Sequence, residues 1–358
     1  ETTQTIVANI DGPYTVTITN ANNCSATSAN MNITVLPIPT VAAIAGANQV
    51  CVGSTLNLTN ATIGGVWSTS NTSVATIDAN GIVTALTAGT VTINYAVTNA
   101  SGCTTTSSMV LNVNALPAVL PIAGANSLCV GTQVVYTNGI AGGTWSSSNV
   151  GVASVAANGV IIGISAGTAT ISYTVSTAAG CSSTVTKVVT VNALPSVSVA
   201  ANGPLTFCQG GSVTLTASGG TSYAWANGPT SASIVVNASG SYSVTATNAN
   251  GCFATSAPVV VNVLALPNAA ISSTGSTICL GSTTTLTATG GVSYAWSNGA
   301  NTASTTVNNS NTYTVTVTGA NGCINTASNV VTVNPNPAVV VTANGPLTFC
   351  SGGSVTLS

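Results

Sequence analysis

Ten cysteines are the residues in this sequence best suited to covalent or metal chemistry, and little else is present to help them. A thiol can serve as a nucleophile, bind zinc as a thiolate, or close a disulfide. Nucleophilic use needs an adjacent base, and the chain contains no histidine. Its charged residues are Glu1, Asp11, Asp78 and Lys187, scattered far apart, so no carboxylate pair can act as acid and base. Structural zinc calls for closely paired thiolates, and no Cys-x-x-Cys occurs. Calcium needs clustered carboxylates, and nucleic acid needs many cations; neither is available. The expected chemistry is therefore oxidation to disulfides in an extracytosolic compartment, with no catalytic residues, no metal and no cofactor.

The cysteines recur in order. Cys51, Cys129, Cys208, Cys279 and Cys350 are each followed by glycine within three residues, at intervals of 71 to 79. A second series, Cys24, Cys103, Cys181, Cys252 and Cys323, alternates with the first. Between them stand Trp67, Trp145, Trp225 and Trp296, each 16 or 17 residues after a cysteine of the first series. An octapeptide, A-N-G-P-L-T-F-C, occurs at 201–208 and again at 343–350. The chain is a tandem array.

The joints fall at Leu36-Pro37, Leu116-Pro117, Leu194-Pro195, Leu266-Pro267 and Asn336-Pro337. Proline fixes φ and donates no hydrogen bond, so each joint is expected to be short and stiff. The resulting units are 1–36, the C-terminal part of one repeat; 37–115 and 116–193, of a longer type; 194–265 and 266–335, of a shorter type; and 336–358, the start of another. The sequence thus begins inside one repeat and stops inside another, as expected of a window from a longer array.

Within each unit the hydrophobic period is two, as in V-T-L-T at 213–216 and Y-T-V-T-V-T at 313–318. Alternating β-branched and hydroxyl residues put one strand face in a core and the other in water. Asn-Gly pairs, such as Asn80-Gly81 and Asn321-Gly322, predict tight two-residue hairpins. The expected fold is all-β: immunoglobulin-like sandwiches in an extended array. Each Trp is expected to anchor a core, the competing reading being an exposed sugar-stacking platform. Tyr14, Tyr242 and Tyr313 are expected to be structural corner residues. With 45% hydrophobic residues and 1% charged ones, solubility must rest on Ser, Thr and Asn. No apolar run is long enough for a membrane-spanning helix. Tripeptides such as Asn57-Leu58-Thr59 match glycosylation acceptors, but in so Asn- and Thr-rich a chain chance accounts for them.

The longer repeats resemble bacterial immunoglobulin-like domains of group 2, through W-S-T-S-N at 67–71, V-A-T-I-D at 74–78, Asn80-Gly81 and A-G-T-V-T-I at 88–93. The shorter repeats are similar to the cysteine-bearing immunoglobulin- or PKD-like modules of giant surface proteins of gliding bacteria. Cys279-Leu280-Gly281-Ser282, Tyr294-Ala295-Trp296 and A-N-G-C at 320–323 carry that likeness. The resemblance implies export to the bacterial surface, by the type IX route.

Two pairings of the cysteines remain open. The favoured one closes each repeat on itself: Cys51–Cys103, Cys129–Cys181, Cys208–Cys252 and Cys279–Cys323. Against it, the first cysteine follows an early strand and the second sits in the last hairpin turn. In a seven-strand immunoglobulin topology these lie at opposite ends, beyond the ~7 Å Cα separation a bridge permits. The alternative crosses the joints: Cys51–Cys181, Cys129–Cys252 and Cys208–Cys323. In either case the array is expected to be a structural stalk or filament of a secreted surface adhesin. A glycan- or protein-binding module, or a laterally assembling appendage subunit, are the other readings. Expected partners are neighbouring repeats, with surface glycans or other copies of the chain, and neither nucleic acid nor a membrane interior.

Overall fold

A computed structural model describes residues 5–358; Glu1 lies outside the described residues. The elements are strands and turns, and the chain divides into two units, 1–193 and 194–358. The fold is all-β, built of tandem immunoglobulin-like sandwiches.

In 37–115, one sheet has the order Gln49–Cys51, Thr104–Asn114, Gly89–Thr98, Val66–Thr69. The other has the order Thr55–Asn57, Ile82–Ala85, Ala75–Ile77. Val91, Ile93, Leu111 and Val113 from the first sheet meet Leu58, Ala75, Val83 and Ala85 from the second in one buried cluster. The same two sheets recur in 116–193 around Tyr136, Ile161, Ile171 and Val189. The alternation in the sequence is what builds these cores. Along Gly89–Thr98 every second residue from Val91 to Val97 is buried, while Thr92, Asn94 and Ala96 between them are only partly covered. Burying each such aliphatic side chain contributes about 1.5–3 kcal/mol.

One strand pairing breaks the antiparallel rule and decides the rest. Gln49–Cys51 lies parallel to the end of Thr104–Asn114, with Cys51 opposite Asn114. Ser127–Cys129, Thr206–Cys208 and Thr277–Cys279 sit in the same way beside the last strands of their own repeats. Each of these four cysteines is thereby carried to the end where its repeat stops.

The shorter repeats differ in their last hairpin. In 266–335 the ladder between Asn311–Thr318 and Ile324–Asn334 is unbroken. In 194–265 it splits, and the register slips by one between Thr245↔Thr255 and Tyr242↔Val259. Pro258 stands in the gap and can donate nothing to a ladder. The Val244 amide turns instead to the Ser256 hydroxyl, at 3.2 Å. The hairpin of 5–36 slips likewise, with Val16 donating to Ser28 Oγ. Ala327 occupies this position in the unbroken ladder and has no hydroxyl to offer.

The Asn-Gly turns are not the two-residue hairpins expected. Such turns need positive φ at both central residues, and among the described residues Asn23 is the one non-glycine with positive φ. At Asn80-Gly81 the Gly81 amide donates to Asp78 O and the Asp78 amide to Ile82 O. This is a three-residue loop in which Gly81 (φ 83°) alone takes the left-handed conformation. The Asp78 carboxylate accepts from the amides of Asn80 and Ile82, so one of the few charges serves as a turn acceptor.

The outer faces are finished with hydroxyl pairs across strands: Thr98 with Thr104, Thr174 with Thr184, Thr245 with Thr255 and Thr314 with Ser328, at 2.8–2.9 Å. These bonds do not titrate and are not screened by salt. The Lys187 ammonium lies 5.7 Å from the centre of the Tyr136 ring. Burial raises the Tyr136 phenol above its ordinary range. The raised group favours folding while it stays neutral, below the unfolded value near 10, and that contribution is lost as pH rises through the folded value. Thermal unfolding should accordingly be flat between roughly pH 5 and 9 and move little between low and high salt. Above about pH 10 the midpoint should fall, and Tyr136→Phe should lessen the fall. Calorimetry across pH checks both; a slope through the carboxylate range would contradict this account.

Candidate functional site at the joints between repeats

The cysteines assemble into a site at the end of a repeat, and the structure corrects the favoured pairing. Cys51 is bonded to Cys181 with Cα atoms 5.6 Å apart, and Cys208 to Cys323 at the same separation. Cys129 and Cys252 are also disulfide-bonded. These bonds leave no room for Cys51–Cys103, Cys129–Cys181, Cys208–Cys252 or Cys279–Cys323. Cys103 and Cys279, expected to be bridged, carry free thiols, as do Cys24 and Cys350. The reason is the parallel strand: it places the first cysteine at the C-terminal end of its repeat. The last hairpin turn of that repeat lies at the other end of the same sheet, against the preceding joint.

The strand half of the joint is built identically in both bonded examples. After Cys51 the chain turns back, with Val52 donating to Asn114 O and Ser54 to Cys51 O. After Cys208, Gln209 donates to Leu264 O and Gly211 to Cys208 O.

The turn half is a glycine hairpin that aims the second cysteine at the incoming linker. Gly319 donates to Cys323 O and Gly322 to Gly319 O, and the Cys323 amide donates to Asn321 Oδ1. The Asn321 amide reaches back to Ala265 O at 2.9 Å, and that of Asn325 to Pro267 O at 3.0 Å. Cys323 Sγ then lies 4.0 Å from Leu264 O, the carbonyl to which the strand half is itself bonded. Cys181 repeats this placement, 4.0 Å from Asn114 O, with its amide held by Thr177 Oγ1. Both sulfurs of the second series are buried, at 1% exposure for Cys181 and 0% for Cys323. Their partners Cys51 and Cys208 are partly exposed, so one sulfur of each bridge is enclosed and the other borders on solvent.

The tryptophans do not gather at the joints. Trp225 and Trp296 are buried in the cores of the shorter repeats, their indole N–H groups donating to Ser231 O and Thr302 O at 2.9 Å. Trp67 and Trp145 are half-buried, packing against Tyr95 and Tyr173 at the core edge, with ring centres 4.6 and 4.5 Å apart. Trp145, Tyr136 and Tyr173 also line an open cleft of about 260 Å³ with Asn138 and Asn158. Tyr242 and Tyr313 each donate from the phenol to the carbonyl four residues earlier, Ala238 O and Asn309 O; Tyr14 does the same to Ile10 O. These are corner bonds that brace the turn before the strand.

Among the described residues no cluster of three His, Cys, Asp or Glu side chains could hold a metal ion, and no helix is long and apolar enough to cross a membrane. Residues 30–107 match the bacterial Ig-like domain (group 2) family. No curated protein matches. Among solved structures, the chain is similar to the N-terminal eight Ig domains of Down syndrome cell adhesion molecule isoform 1.30.30. The identity is 15% and the TM-score 0.35, over 93% of this chain and 54% of that one. It is also similar to a Ca2+-stabilised adhesin with which an Antarctic bacterium reaches out and binds ice. There the identity is 15% and the TM-score 0.25, over 82% of this chain and 100% of that one.

Proposed function

We propose that this chain is a structural stalk or filament segment of a secreted bacterial surface adhesin, exported by the type IX route, which holds a binding tip away from the cell. The observation that carries this reading is the staple: Cys51–Cys181 and Cys208–Cys323 each lock one repeat to its successor. A binding module gains nothing from a covalent bond at its far end, whereas a spacer gains resistance to bending. The near-absence of charge fits the same role, since spacing must hold in any salt. The group 2 match over 30–107 supports the module type. Small-angle scattering of the oxidised chain should give an elongated particle with evenly spaced repeats, and reduction should broaden its distance distribution. A compact particle in both states would refute the proposal.

A second reading has one feature in its favour. The aromatic cleft at Tyr136, Trp145 and Tyr173 has the makings of a sugar platform, although both phenols are already engaged, with Ala125 O and with Ile140 O. Binding on a glycan array that is lost in Trp145→Ala would favour it.

A further inference from the structure

We infer that Cys103 and Cys279 are complementary halves of the same staple, each built to form a disulfide with a further repeat of this kind. The inference stands on the joints alone and does not depend on the adhesin reading.

Cys279 reproduces the strand half. Thr277–Cys279 runs parallel to Ile324–Asn334 with Cys279 opposite Asn334, as Cys51 stands opposite Asn114. Leu280 donates to Asn334 O and Ser282 to Cys279 O, the same two bonds that follow Cys51. The Asn336 side chain ties the outgoing linker to Leu280 O at 3.2 Å, and the Cys279 thiol is exposed beside it.

Cys103 reproduces the turn half. Its amide donates to Asn99 Oδ1, Asn99 donates to Cys103 O, and Gly102 donates to Asn99 O. The Asn99 amide holds the incoming linker at Pro37 O, 2.8 Å away, as Asn321 holds Ala265. Cys103 Sγ lies 3.9 Å from Leu36 O, where Cys181 and Cys323 lie 4.0 Å from Asn114 O and Leu264 O. Each of the two thus carries one complete half of the bonded joint, the strand half at Cys279 and the turn half at Cys103. In both bonded joints the strand cysteine of one repeat takes the turn cysteine of the next. The partner of Cys279 is therefore a turn cysteine of the Cys323 kind, and the partner of Cys103 a strand cysteine of the Cys51 kind.

Bond formation joins two thiols as S–S with loss of two protons and two electrons. An exchangeable disulfide, such as oxidised glutathione or that of a thiol oxidoreductase, takes these up and becomes two thiols.

The partner repeat can belong to the same polypeptide or to a second copy of it, and one experiment separates the sources. Protein isolated from its native setting is alkylated with iodoacetamide, digested without reduction and mapped by mass spectrometry. The expected result is that Cys279 and Cys103 escape alkylation, and that each is recovered joined to a cysteine of the opposite kind. A species that falls to single-chain mass on reduction assigns the partner to a second copy. Unchanged mass with altered gel mobility assigns it to the same polypeptide. Alkylated Cys279 or Cys103, or a link between two cysteines of one kind, overturns the inference.

Discussion

Replacing Cys51 and Cys181 together by alanine should lower the melting temperature of the repeats they join by about 10–20 °C. The bridge closes a loop of 130 residues, and the chain-entropy account assigns a closure of that size about 5 kcal/mol. Over a pair of repeats of some 150 residues, each kcal/mol shifts the midpoint by about 2–4 °C. Calorimetry of the oxidised chain measures the shift. The control is Cys103→Ser, which removes a thiol with no partner in the structure and should leave the midpoint within about a degree. Were the bridge instead Cys51–Cys103, the control would be as damaging as the double variant, so the two curves decide the connectivity as well as its strength.

Trp296→Ala should cost about 3–5 kcal/mol, the usual range for emptying a buried aromatic site. The ring is 4% exposed among Leu286, Val307, Tyr313, Val315 and Val317, and its N–H leaves Thr302 O unpaired when removed. A small domain has only about 5 kcal/mol or so to lose, so 266–335 should be close to unfolded. Trp67→Ala should cost less, about 2 kcal/mol, because that ring is partly exposed at the edge of its core, where it packs on the buried cluster and on Tyr95. Hydrogen exchange read peptide by peptide localises each loss to its own repeat. Equal effects of the two substitutions would show that the long and short repeats use their tryptophans alike, against the packing described above.

Much of this architecture is legible in the sequence because it is written in local terms. Alternation of valine with threonine sets the strands and their inner faces, and Val91, Ile93, Val315 and Val317 all point where a period of two sends them. The corner tyrosines show by their position before the last strands. What resists reading is non-local. The strand ending at Cys51 lies parallel to the strand ending at Asn114, and no turn between them records the fact, since most of the repeat intervenes. That single pairing decides which cysteines meet. The opposite-ends objection was the available clue, and it pointed to the pairs Cys51–Cys181 and Cys208–Cys323 that form. Asn-Gly misled for a different reason: the dipeptide serves several hairpin types, and a side-chain acceptor three residues before the glycine, Asp78 or Asn248, holds the longer loop here. Nor could composition tell that Trp67 would sit at the rim of its core while Trp225 lies inside.

A bond from the exit of one sandwich to the entry turn of the next reroutes tension. Pulled from its ends, the chain passes force from Cys51 straight to Cys181 through sulfur, and the residues in between hang slack beside that shortcut. Unravelled, 130 residues would pay out about 430–470 Å of thread. With the clasp closed they pay out none, even if the folded material they belong to comes apart. Cys208 and Cys323 withhold a further 115 residues in the same manner. The segments between each pair of sulfurs are thus released to tension only when a reductant breaks the bond, whereas 182–207, outside both loops, can still extend.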